Sequence, residues 1–158
     1  MTRTHPIRTA AAIAAAVLCA AVLWPSAGNA AGRTQTLRFF VKDVSFQLTQ
    51  ADGTVVDRPP FPDAGAGDVL DVTSLLFRGD HRRHARRWSG SVHLRCGFGA
   101  GEPECESQVA IGGSLLIFSG NPGTLTVGTG RFQGATGRVI KNQEVPGGSD
   151  VVAKIHLR

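Results

Sequence analysis

Beyond residue 31 the chain alternates apolar and polar side chains at short range, and no window of a dozen residues repeats its apolar positions at helical spacing. β-Branched and aromatic runs are broken at short intervals by Gly, Pro, Asn and Asp. This pattern predicts strands over Thr36–Leu48, Asp68–Phe77, Trp88–Phe98, Cys105–Gly112, Ser114–Ser119, Thr124–Gly128, Arg138–Val145 and Val151–Leu157. Between the first two lies ADGTVVDRPPFPDAGAG, whose Pro and Gly residues mark a long irregular connection. The chain thus reads as all-β, either a sandwich or a closed antiparallel barrel of about eight strands.

The first thirty residues break this pattern. Arg3 and Arg8 precede a run from Ala10 to Leu23 almost without polar side chains, and PSAGNA follows, with Gly28 and Ala30 at the −3 and −1 positions. Residues 1–30 therefore read as a secretory signal peptide cleaved after Ala30. The apolar run falls short of the ~20 residues that a spanning helix needs, so no membrane span is expected after cleavage. The remaining 128 residues, 31–158, suffice for a single domain. The whole chain carries a net charge of +5; Arg3 and Arg8 leave with the leader, so the mature domain holds 15 Lys and Arg against 12 Asp and Glu. That mild excess does not call for nucleic acid, and export argues against such a partner.

Two of the three cysteines, Cys96 and Cys105, remain after cleavage. An even number in an exported chain reads as one disulfide, with a metal site as the weaker alternative because a further ligand pair is wanting. A bridge between cysteines nine positions apart staples neighbouring strands at a hairpin end. The immunoglobulin bridge instead joins two sheets, so the spacing favours the barrel. A closed barrel also removes exposed edges, and with eight strands its interior is wide enough for side chains or one small ligand.

The densest motif is VGTGRFQGATGRV, Val127 to Val139. A dinucleotide fingerprint needs G-x-G-x-x-G between a strand and a helix; here Gly128, Gly130, Gly134 and Gly137 are spaced otherwise, and RVIKNQEV reads as a strand. No Lys-Ser or Lys-Thr follows the last glycine, which excludes a Walker loop. The run Gly-Thr-Gly-Arg-Phe-x-Gly-Ala-x-Gly resembles the signature of dirigent and allene-oxide-cyclase-like barrels, in which an aromatic residue plugs the barrel end. FFVKD at Phe39 to Asp43, GDVLDVTSLLF at Gly67 to Phe77, and the cysteine pair followed by IGGSLLIFSG extend the resemblance to bacterial members of that group. Val127 replaces the first Gly of the usual Gly-Gly-Thr-Gly, Lys42 stands where plant dirigents have His, and the chain has no Tyr.

The resemblance implies an exported barrel that binds an apolar small molecule and directs its cyclisation or stereoselective coupling, isomerase-like and without a cofactor. A carrier or cell-envelope barrel without chemistry is the alternative. It also implies a homo-oligomer, since dirigent relatives are often trimeric. Asp43 is the candidate catalytic residue: it matches the first-strand Asp of the dirigent pattern and shares its face with Leu37, Phe39 and Val41. There it would donate or accept a proton, unless it sits outside at a strand end. Phe39, Val41 and Phe132 are the candidate ligand-binding residues. Arg95 and Glu106, flanking the cysteines, face either inward or to the surface. RGDHRRHARRW, Arg78 to Trp88, supplies Arg82, Arg83, Arg86 and Arg87, which read either as a solvated loop or as a grip on an anionic partner. His81-x-x-His84 lacks a third metal ligand, so no metal is expected. No Ser lies in a G-x-S-x-G elbow, and both mature cysteines go to the bridge, leaving no nucleophile for hydrolysis.

Overall fold

The computed structural model describes residues 32–57 and 62–158; the signal-peptide reading of residues 1–30 lies outside them. Eight long strands form the fold: β1 Thr34–Thr49, β3 Val69–Asp80, β5 Gly90–Gly97, β6 Glu104–Ile111, β7 Ser114–Ser119, β8 Thr124–Gly128, β9 Thr136–Val145 and β10 Gly148–His156. Two short ones, β2 Val55–Val56 and β4 Arg83–His84, pair on the outer ends of β1 and β3. The order β1-β10-β9-β8-β7-β6-β5-β3 returns to β1 through a β1–β3 pairing, and every neighbouring pair is antiparallel. The sheet therefore closes into the eight-stranded barrel that the cysteine spacing favours over a sandwich, with its long edges removed.

Alternation explains the core. Leu37 and Phe39 of β1, Leu76 of β3, Ile111 of β6, Leu116 and Phe118 of β7, Leu125 of β8, and Ala153 and Ile155 of β10 point inward and form one cluster with Phe132. Val41, Val92, Val109 and Val139 pack against it and stay half-buried. Strand β1 is long enough to pair on both sides, with β10 from Thr34 to Val41 and with β3 from Phe39 to Thr49. A bulge between Asp43 and Ser45 shifts its register against β3. Such bulges bend a strand and let a barrel curve.

Cys96 and Cys105 face each other directly across the β5–β6 ladder and form the expected disulfide, with Cα atoms 4.1 Å apart. In the loop-entropy account a short closed loop of this kind stabilises the fold by roughly 2.5 to 3 kcal/mol. The adjacent Arg95 and Glu106 oppose each other on the other face of that ladder, outside the barrel, where Arg95 lies 3.8 Å from Asp71.

The segment expected as a plain loop after Phe77 is more ordered than that. Strand β3 runs on to Asp80, turns, and pairs with β4. Asp80 accepts hydrogen bonds from the backbone N–H groups of Arg82 and Arg83, both at 2.9 Å, which closes the turn. The hairpin then folds over the outside of the barrel, where Phe40 alternates away from the core. His84 stacks on Phe40 with ring centres 5.0 Å apart and approaches Phe77 at 5.3 Å.

Candidate functional site

Asp43 lies at the inner face of β1, one alternation step beyond Val41 and just before the bulge. Its partner across the ladder is Ser74 of β3, only 3% exposed, whose hydroxyl donates to Asp43 Oδ1 at 2.7 Å. The carboxylate is half-buried, so one side is held by a buried hydroxyl while the rest remains accessible. Leu37, Phe39, Val41 and Asp43 share one face of β1, and that face is the interior. Ser74 was not singled out in the sequence, because a lone Ser in an apolar strand gives no sign of its partner until the β1–β3 register is known.

Ladder pairing identifies the neighbours of this group. Val41 pairs with Ser149 of β10, which pairs in turn with Glu144 of β9, placing both polar residues on the inner face. Ser74 pairs with Val92 of β5, which pairs with Val109 of β6, giving an apolar wall on the other side. Phe39 and Leu76 are buried beneath. The arrangement is a carboxylate and a few polar groups at the rim of an apolar interior.

The glycine motif forms the opposite end. A 3₁₀ turn at Gly130–Phe132 follows β8, and Phe132 enters the core with no exposed surface, among the most deeply buried side chains together with Leu116 and Ile155. Gly128 and Gly137 make this possible. A Cβ at Gly128 would stand 2.2 Å from the Phe132 carbonyl oxygen, and one at Gly137 would stand 2.3 Å from the Lys154 carbonyl oxygen. Side chains at these positions would push the turn and β10 away from the barrel. The stretch is a structural corner, as the spacing of its glycines indicated, and Phe132 is the plug that the resemblance implied.

The basic segment stands apart from the interior. Arg82, Arg83, Arg86 and Arg87 are exposed on the outside of the barrel. The two histidines between them are engaged separately: His84 stacks on Phe40, and the backbone N–H of His81 donates to Asp150 Oδ1 at 2.7 Å while its ring Nδ1 lies 2.6 Å from Oδ2. Burial pushes the Asp150 carboxyl up, but the side-chain and backbone hydrogen bonds from His81 outweigh it, and its pKa is lowered overall. Asp80 is lowered as well, by the backbone N–H groups of Arg83 and Arg82.

The described residues form a closed eight-stranded antiparallel barrel with an aromatic plug at one end and a carboxylate on its inner face. No protein-family model and no curated protein matches the sequence. Among solved structures, pyocyanin demethylase is similar with a TM-score of 0.52 at 15% identity, over 78% of this chain and 98% of that one. A pterocarpan synthase dirigent protein is similar with a TM-score of 0.50 at 16% identity, over 80% of this chain and 89% of that one. At such identities the likeness establishes the barrel fold.

Proposed function

We propose that the barrel binds an apolar small molecule at the inner rim around Asp43 and directs its cyclisation or stereoselective coupling without a cofactor. The observation that carries this reading is the Asp43–Ser74 pair, a half-buried carboxylate oriented by a buried hydroxyl beside Val41, Val92 and Val109. Phe39 and Phe132 form the packed floor on which those lining residues rest. The two fold relatives, by name a demethylase and a synthase, are proteins that transform small molecules, which supports a reactive rather than a purely structural barrel. Holding a reactive substrate in one near-attack conformation supplies most of the rate, and Asp43 adds proton transfer, a contribution of about 10²–10⁴-fold.

The test incubates oxidised protein with a mixture of apolar phenolic and lipid-derived compounds, followed by native mass spectrometry and profiling of the mixture. A bound small mass, together with a depleted compound and a new product, supports the reading. Asp43→Ala is then expected to retain the ligand and lose turnover by about 10²-fold or more. Ligand retained with no conversion in either form would instead identify a carrier, and no bound mass and no conversion would remove the proposal.

A further inference from the structure

The basic segment is not used by the interior site, yet it is built as a fixed display. The Asp80 turn and the His81–Asp150 contact hold its first half. The backbone N–H of Ala85 donates to Arg78 O at 2.8 Å, and that of Ser89 to Leu76 O at 2.7 Å, which holds the second. Along this tethered backbone, Arg82, Arg83, Arg86 and Arg87 are exposed, and no carboxylate among the described residues pairs with them. The carboxylates nearest in the fold are already engaged, Asp80 by the turn and Asp150 by His81. Many other acidic groups gather at the opposite end of the barrel. Asp52, Asp63 and Asp68 lie in the β1–β3 connection, and Glu102 and Glu104 at the β5–β6 hairpin.

The segment ends on Trp88, which is 61% exposed. It borders a surface depression of about 390 Å³ in which Ser89, Ser91, Gly112, Gly113 and Thr129 stand beside the apolar Ile111 and Leu115. A lone aromatic face beside hydroxyls and glycine backbone suits the C–H face and hydroxyl groups of a sugar ring. A membrane-inserting patch instead presents several protruding apolar side chains together. Arginines add bidentate recognition of carboxylates.

We infer that Arg82, Arg83, Arg86, Arg87 and Trp88 form a binding surface for an acidic polysaccharide, with Trp88 stacking on a sugar ring and the arginines taking its carboxylates. Binding there places the polymer on the outer wall, away from the acidic end of the barrel, so the Asp43 rim stays clear. This inference is independent of the interior reading, because none of its residues lines the inner face.

Trp88 is the only tryptophan after residue 30, so its emission reports directly on the surface. The folded, oxidised protein is titrated with alginate, neutral dextran and phosphatidylglycerol vesicles at about 20 mM and about 300 mM salt, where screening lengths differ several-fold. The expected result is a blue shift of emission and binding with alginate, weakened at high salt, and none with dextran. Arg83→Glu/Arg86→Glu is expected to weaken alginate binding about tenfold or more, and Trp88→Ala, followed by calorimetry, about fivefold or more. Unchanged melting of these exposed variants keeps the comparison clean. Absence of alginate binding, equal binding of dextran, or preference for the vesicles overturns the inference. Alginate affinity indifferent to Trp88→Ala does so too, because it reduces the surface to non-specific charge attraction.

Discussion

At the residue scale, the two deepest commitments of the chain are a side chain that must be present and a side chain that must be absent. Phe132 is wholly buried among Leu116, Ile155 and their neighbours. Phe132→Ala leaves a cavity at the plug and is expected to lower stability by about 3–5 kcal/mol in chemical denaturation. At Gly137 a Cβ would meet the Lys154 carbonyl oxygen at 2.3 Å and the Ile155 Cδ1 at 2.9 Å. Since the first of these atoms is backbone, it cannot rotate away. Gly137→Ala is expected to cost about 1–3 kcal/mol in the same measurement, although alanine normally favours strand over glycine. The plug was legible through the resemblance of the glycine run around Phe132 to dirigent-like barrels, in which an aromatic residue closes the barrel end. Ser74 was not, because its importance comes from a register between residues 31 positions apart.

At the element scale, alternation located all eight long strands to within three residues at each end, since a half-buried strand writes its period of two directly into the sequence. The short β2 and β4 were missed for the converse reason: two residues are too few to show a period. Phe40 shows a further limit. It faces outward by alternation and is 7% exposed only because the β3–β4 hairpin lies across it. The hairpin is held by the contact of His81 with Asp150, whose carboxyl pKa is lowered in the folded state. A lowered carboxyl contributes stability that is fully present above its unfolded value, near 3.9, and is lost as pH falls through the folded value. Docking of the hairpin is therefore expected to be insensitive to Asp150 above about pH 5 and to fail in acid. Ring-proton shifts of His84 and Phe40 would follow it, and Asp150→Asn should remove that acid dependence while lowering the melting temperature at neutral pH. At the other end of β5, replacing Cys96 and Cys105 together by Ser is expected to lower stability by roughly 2.5 to 3 kcal/mol while the barrel still folds.

At the scale of the whole molecule, the ladder is closed, and its thinnest seam is β8–β9, where only Thr124 and Arg138 pair. Amide hydrogen exchange is expected to show β1, β3, β5, β6, β7, β9 and β10 protected to a similar degree, with β8, thinly paired to β9, exchanging earlier and β2 and β4, each only two residues long, earliest. Markedly earlier exchange of any barrel strand other than β8 would contradict this picture. Closure also governs the order in which the structure can be made. Thr34 pairs with His156, so the first long strand keeps one side vacant until the last strand has been synthesised and released. A contact joining residues 122 positions apart must be bought with chain entropy before any neighbour rewards it, and topologies rich in such contacts fold slowly. The N-terminal half therefore waits, unclosed, while the rest of the polypeptide is built. Closure waits on the last strand, and every earlier stage of the chain has β1 open on the side that β10 will take.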